Sequence, residues 1–253
     1  FIKMVRQLDE QWRPTHRVVI FDGGLPATRL NLLPTYKAQR DPMPEALRCQ
    51  LDPIAQFLRW AGWASIRPEG EEADDALATL ARRTAARGGH VLVASSDKDL
   101  LQIVSPQVMV VAPTKDSKPL GPEEVRARLG VRPEQVVDYL ALMGDQADNV
   151  PGVPGIGPKT AAQLLDRYGT VDSVWEQLEQ VEPPRIRELL RQHRDVVERN
   201  RKLMRLDTDL SGLPPLDDLA TRRPDLPELI RFLGQRDLHG LARTYREADL
   251  ELF

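Results

Sequence analysis

Val91-Leu-Val-Ala-Ser-Ser-Asp-Lys-Asp99 is a four-residue apolar run that stops, after two serines, at a pair of carboxylates. A short continuous apolar run of this kind reads as a buried strand, with the acids standing just past its carboxyl end. Upstream, Arg17-Val-Val-Ile-Phe-Asp22 repeats the pattern, an apolar run closed by Asp22. Residues 46–61 and 73–86 between them carry helical periodicity, as do residues 4–12 before the first strand. Strands that alternate with helices specify a parallel sheet, and ligands of such sheets bind beyond the carboxyl ends of the strands. The expected fold class is therefore α/β, with Asp22, Asp97 and Asp99 delivered to one crevice.

Beyond Lys118 the pattern changes to helices joined by Gly/Pro loops, at 122–129, 133–143 and 158–168, with no convincing strand. Further helices are expected at 185–206, 227–233 and 237–245, with breaks at 213–215 and 223–227. The expected division is a domain over 1–118 and a helical domain over 119–253.

The 253 residues, 41% of them hydrophobic, are enough for one large or two modest domains with real cores. No stretch approaches the roughly 18 to 20 apolar residues of a membrane span, and the first residues lack the apolar centre of a signal peptide. The cytoplasm is the expected location. Cys49 is the single cysteine and is read as a partly buried thiol; four scattered histidines show no zinc spacing. Neither a Walker A loop nor a GxGxxG signature is present, which disfavours nucleotide-driven and redox chemistry.

Two further acidic clusters join those at the strand ends. Glu72, Asp74 and Asp75 open the helix at 73–86, where acids also serve simply to complement a helix dipole. Asp145-Gln-Ala-Asp148 follows the helix ending near Met143 and reads equally as a cap and turn. Asp97 and Asp99 have their own local alternative as a turn and N-cap. If these acids converge, their repulsion must be relieved by protons or cations, and hard divalent ions with oxygen ligands are the natural partners.

The loop Gly152-Val-Pro-Gly155-Ile-Gly157-Pro-Lys159-Thr160 joins two helices. Its glycines admit close backbone approach and positive φ, and Pro158 suits the first turn of the next helix. Free N–H groups at a helix start bind phosphate without reading base sequence. A structural tight turn is the alternative. Tyr36-Lys37-Ala-Gln-Arg40 places two cations after the first strand, suited to a substrate phosphate. The net charge of −3 hides a basic run from Arg185 to Arg205, readable as a binding face or as a solvated helix surface.

In order, Val19-Ile-Phe-Asp22, Tyr36-Lys37-Ala-Gln-Arg40, Glu72-Ala-Asp-Asp75, Ser96-Asp-Lys-Asp-Leu100, Gly144-Asp-Gln-Ala-Asp-Asn149 and Gly152 to Thr160 resemble the bacterial 5'-3' exonuclease family. This is the family of the 5' nuclease domain of DNA polymerase I, related to flap endonucleases, and the similarity runs from about Arg17 to at least Leu210. The resemblance implies a PIN-like α/β nuclease domain followed by a helix-three-turn-helix domain that grips duplex DNA through backbone amides. It further implies two magnesium or manganese ions held by Asp22, Glu72, Asp74, Asp75, Asp97, Asp99, Asp145 and Asp148. Lys37 and Arg40 match residues that contact the scissile phosphate. Gly152, Val153, Gly155, Ile156, Gly157, Lys159 and Thr160 match the duplex-binding loop, where the family often holds potassium.

The expected activity is structure-specific cleavage of DNA at 5' ends and flaps in replication and repair, by a monomer with a fused or separate polymerase as partner. The family's opening strand, with a further metal-binding aspartate, has no counterpart before the first helix, so the sequence is expected to be a fragment. A DNA-structure-binding module without cleavage is the alternative from another class. A PIN-type ribonuclease is disfavoured by the helical second half.

Overall fold

The computed structural model describes residues 1–114 and 117–250; residues 115–116 of the expected first domain and 251–253 of the expected second lie outside the described residues. In chain order the first elements are α1 (Ile2–Trp12), β1 (Val18–Ile20), α2 (Ala27–Leu32), α3 (Glu45–Arg48), α4 (Leu51–Trp60) and β2 (Ala64–Ile66). They are followed by α5 (Ala73–Ala86), β3 (Val91–Ala94), β4 (Val108–Val111), α6 (Pro122–Leu129) and α7 (Val136–Met143). A two-residue hairpin, β5 (Gly144–Asp145) and β6 (Val150–Pro151), leads to α8 (Pro158–Tyr168) and α9 (Val171–Glu176). The last helices are α10 (Pro184–Gln192), α11 (Arg194–Met204), α12 (Leu226–Gly234) and α13 (His239–Leu250).

The chain forms two compact units, one from Phe1–Asp22, Asp41–Pro68 and Gly212–Phe253, the other from Gly23–Arg40 and Glu69–Ser211. In the first, β1 pairs in parallel with β2, Val18 opposite Ala64 and Ile20 opposite Ile66. Its core is built from helical i, i+3, i+4 stripes, Ile54, Phe57 and Leu58 of α4 meeting Leu229, Phe232 and Leu233 of α12. Arg17 is buried here with both terminal nitrogens engaged: Nη1 pairs with Asp9, Nη2 donates to the Ala61 and Arg222 carbonyls at 3.0 and 3.1 Å, and the guanidinium stacks on Trp63, while Nε has no partner.

In the second unit β3 pairs in parallel with β4, Val91 opposite Val108 and Ala94 opposite Val111. Helix α7 is its centre. Val136, Tyr139, Leu140, Ala141 and Leu142 are all buried, as befits a helix apolar all round. Asp138 is tolerated among them because its carboxylate accepts the Val171 amide at 2.8 Å and pairs with Arg201 at 2.9 Å.

Strands lie where the apolar runs at 17–21 and 91–94 predict them, and the α/β half followed by a helical half is as expected. The pairing differs from the expectation of one sheet. Each predicted strand has its own short partner, β2 or β4, so the two form separate parallel pairs among the described residues. The helix expected over 185–206 is two, interrupted at His193, whose amide turns back to the Leu189 and Leu190 carbonyls. Residues 46–61 likewise split into α3 and α4. Cys49, expected to be partly buried, is exposed, since α3 contributes no buried residue to the core. No described helix is long and apolar enough to cross a membrane.

Candidate metal centre and backbone loop

Seven of the eight singled-out acids belong to the second unit; Asp22 belongs to the first, exposed two residues past β1. Glu72 is the N-cap residue of α5, and Asp74 and Asp75 lie in its first turn, where the helix dipole favours negative charge. Asp97 and Asp99 follow β3. Asp97 accepts the Asp99 amide at 2.9 Å and Asp145 the Ala147 amide at 2.9 Å, so the local turn readings hold for both. Turn chemistry engages one oxygen of each, while the Asp145 Oδ2 pairs with Lys98 at 3.1 Å.

Asp99, Asp145 and Asp148 bring one carboxylate oxygen each to within 4.8 Å of one another. Opposite ligands of a divalent ion with metal–oxygen distances near 2.1–2.5 Å lie about 4–5 Å apart, so this spacing fits a cation of that kind. Asp99 Oδ1 is withdrawn from water and has no hydrogen-bond partner. Burial, and then the charges of Asp97, Asp145 and Asp148, push the Asp99 carboxyl up to about 7, with Lys98 acting the other way. A buried acceptor left unmatched costs about 1–3 kcal/mol. A cation would remove both the orphaned acceptor and the repulsion. Beside the trio, a cleft of about 10 Å³ is lined by Glu72, Asp74, Asp97, Asp99 and Asp148, room for one water-sized sphere. Acids from three of the four motifs converge, those at 72–75, 97–99 and 145–148; Asp22 belongs to the other unit.

Positive side chains are laid against this cluster. Lys37 pairs with Glu72 and lies 3.6 Å from Asp148; Arg40 meets Asp148 at 2.5 Å. The ammonium of Lys37 stands between two acids as a cation would. The turn carrying both residues is fixed to the β5–β6 turn: the Lys37 amide donates to the Asp148 carbonyl at 3.0 Å, and Asn149 Nδ2 donates to the Thr35 carbonyl at 2.8 Å. Tyr36 donates its hydroxyl toward Glu72 and Asp148, each at 3.2 Å, and burial followed by those two charges raises its pKa.

Sequence reasoning missed three participants. Arg29 of α2 is buried against Glu72 and Asp75, yet an arginine in a short helix carries no signal of its own. Lys98 sits in plain view between two aspartates and went unassigned. Asn200 of α11, fully buried, donates to the Ala141 carbonyl at 3.0 Å and the Pro151 carbonyl at 2.8 Å, tying the hairpin to α7.

The Gly-rich loop begins where two backbones cross. A Cβ on Gly152 would lie 2.0 Å from the Met143 carbonyl carbon, and one on Gly144 would lie 2.2 Å from the Gly152 nitrogen, so neither position admits a side chain. Gly155 has φ +83°, with Arg185 Nη2 only 2.8 Å from where its Cβ would stand. Val153 and Ile156 are buried, and their amides donate to the Leu142 and Val153 carbonyls at 2.8 and 3.0 Å. Those two residues therefore set the loop's shape. Gly157 caps α8 with Pro158 at its first position, and the amides of Lys159 and Thr160 fall in the turn that has no intrahelical acceptors. Three cations of the basic run beyond it are paired with acids: Arg187 with Glu182, Arg191 with Glu179 and Glu188, Arg201 with Asp138 and Asp172.

Comparison with known proteins is consistent across sequence and fold. A family model described as 5'-3' exonuclease, N-terminal resolvase-like domain, matches residues 1–130, and one described as 5'-3' exonuclease, C-terminal SAM fold, matches residues 131–227. The chain is 37% identical over 243 residues to a 5'-3' exonuclease of Aquifex aeolicus, covering 96% of this chain and 82% of that protein. It is 41% identical over 247 residues to a DNA polymerase I of Rhizobium leguminosarum, covering 98% of this chain but 24% of that longer protein. The T5 D15 protein crystallised with metal ions shares the fold, with a TM-score of 0.71 at 23% identity, covering 97% of this chain and 90% of that one. The catalytic core of Rad2 in complex with DNA substrate superposes with a TM-score of 0.64 at 18% identity, covering 96% and 82%.

Proposed function

The chain belongs to the 5'-3' exonuclease family, and on that premise we propose that it hydrolyses phosphodiester bonds of DNA at 5' ends and flaps, in replication and repair. The observation that carries the reading is the convergence of Asp99, Asp145 and Asp148 within 4.8 Å around a buried oxygen with no partner. Asp97, Asp99, Asp145 and Asp148 are the proposed core of the ligand set, with Glu72 and Asp74 at the adjoining cleft. Magnesium or manganese ions bound there supply charge stabilisation at the phosphoryl oxygens and lower the pKa of the attacking water.

The chain's own side chains do the rest. Lys37 and Arg40, held on Glu72 and Asp148, are positioned to turn from those acids to the scissile phosphate and stabilise charge developing on it. Tyr36 holds the Glu72 and Asp148 carboxylates in register. The amides of Gly155, Gly157, Lys159 and Thr160, with the Lys159 charge, grip the phosphate backbone of the duplex without reading bases. Gly152 permits the backbone crossing, and Val153 and Ile156 anchor the loop. The same loop is the proposed seat of a potassium ion. Fraying terminal nucleotides into the site costs a few kcal/mol, which favours ends and flaps over continuous duplex. Cleavage leaves a 5'-phosphate on one product and a 3'-hydroxyl on the other.

In this reading residues 1–118 form the PIN-like nuclease part and 119–253 the DNA-gripping part, working in the cytoplasm as a monomer. The chain spans about a quarter of its DNA polymerase I relative, 24%, which favours a polymerase as fused or separate partner. The test is cleavage of a labelled 5'-flap duplex with and without magnesium. Magnesium-dependent release of 5'-phosphorylated fragments supports the reading; tight flap binding by folded protein with no cleavage at saturating magnesium returns the non-cleaving binding module.

A further inference from the structure

We propose that Asp75 is not a metal ligand in this chain but the buried counter-ion of Arg29, and that Arg29 is a positioning residue that fixes Glu72 at the metal centre. The inference rests on the reading of the remaining acids as a cation site. Asp75 is 1% exposed, and both its oxygens are engaged. Oδ1 accepts from Arg29 Nη2 at 2.8 Å and from the Asp207 amide at 2.7 Å, while Oδ2 accepts from Arg29 Nη1 at 2.5 Å. Two parallel N–H bonds to one carboxylate form the strong bidentate arrangement specific to arginine.

Arg29 is committed in turn. Its Nε donates to the Leu203 carbonyl at 3.1 Å, Nη2 also reaches the Arg205 carbonyl at 3.3 Å, and Nη1 meets Glu72 Oε2 at 2.5 Å. The guanidinium thus ties the start of α5 to the end of α11 and orients one face of the Glu72 carboxylate. For Asp75 to turn to a cation, Oδ1 must leave the guanidinium and the Asp207 amide, or Oδ2 must leave the guanidinium, and either breaks the bidentate pair of a buried arginine with its principal counter-charge. Asp99 is the opposite case, since its buried oxygen has no partner to surrender. The motif Glu72-Ala-Asp74-Asp75 therefore divides its labour: Glu72 and Asp74 line the cleft, while Asp75 faces Arg29 and is absent from the cleft lining.

The two roles predict opposite signs in two readouts. Manganese binding is measured by calorimetry, and metal-free melting temperature by circular dichroism, for the wild type, Asp75→Asn, Asp99→Asn and the double variant Arg29→Gln with Asp75→Asn. The double variant removes both charges and keeps hydrogen-bonding groups, so it decides the matter if Asp75→Asn alone does not fold. The expectation is that Asp75→Asn lowers the metal-free melting temperature by roughly 10 °C. It should bind as many manganese ions as the wild type, with affinity reduced no more than about tenfold. The double variant should recover most of the melting temperature and retain the ion number, while Asp99→Asn loses an ion. Loss of an ion in both Asp75→Asn and the double variant, with metal-free stability unchanged or raised as relief of acid repulsion would cause, overturns the inference. No loss in Asp99→Asn would instead overturn the cation reading beneath it.

Discussion

Asp75 and Asp99 belong to the same acidic cluster and are opposites in every respect that matters. Asp75 has a guanidinium and a backbone amide on its two oxygens; Asp99 has a buried oxygen with nothing on it and three acids nearby that push its carboxyl up to about 7. Burial alone does not distinguish them, because both are withdrawn from water. Satisfaction does. An acid whose bonds are complete is part of the fold, and an acid whose bonds are incomplete is waiting for a ligand.

The sharpest way to break that contrast is to remove each acid's role in turn. Asp99→Asn is expected to lower magnesium-dependent flap cleavage by roughly 1,000-fold while leaving the metal-free melting temperature unchanged or higher, measured by gel assay and thermal melting. Arg29→Ala, acting at the satisfied end, is expected to destabilise the metal-free protein by about 3–5 kcal/mol in urea unfolding, because Asp75 is left buried without its partner. Lys37→Ala lies between the two ends. It should lower single-turnover cleavage by roughly 100-fold and leave cation binding intact or tighter, since its ammonium competes with a cation for Glu72 and Asp148.

Acidity provides a subtler test. The Asp99 carboxyl holds its proton more tightly in the folded chain, to about 7, than at its ordinary value of 3.8. Between those values the native state binds the extra proton, so this group's contribution makes metal-free stability fall as pH rises from about 4 to about 7 and level off above. Asp99→Asn should flatten that slope, and saturating manganese should reverse it, because a ligating carboxylate must lose its proton. The smallest expected effect lies outside the acids: Lys159→Ala should weaken duplex binding several-fold and reduce the slope of log affinity against log salt by about 1, with cation binding unchanged.

How much of this was legible follows the same division. The acids at strand ends and the Gly-rich loop are local features, and the chain states them outright: apolar runs stop at Asp22 and at Asp97, and Pro158 opens α8. The single parallel sheet expected to gather Asp22 with Asp97 and Asp99 did not form, since the two strands pair separately and belong to different units. What the sequence hid is long-range. Arg29 meets Asp75 across 46 positions of chain and the Leu203 carbonyl across 174, and no spacing rule anticipates either. Asn200 is equally silent, a polar residue in a helix whose burial appears only when α11 packs on α7. Val153 and Ile156 show the converse, since membership of a binding motif did not reveal that their side chains and amides are turned to the loop's own construction. The short strands escaped because β2 is three residues with Ser65 at its centre, and the four apolar residues of β4 do not distinguish a strand from a buried helical segment.

The most direct measurement is a manganese-soaked crystal with anomalous difference density. The account predicts a strong peak against the carboxylate oxygens of Asp99, Asp145 and Asp148, with Asp75 still bidentate on Arg29 and touching no ion. A peak coordinated by Asp75, or none at Asp99 in a saturated crystal, would contradict it.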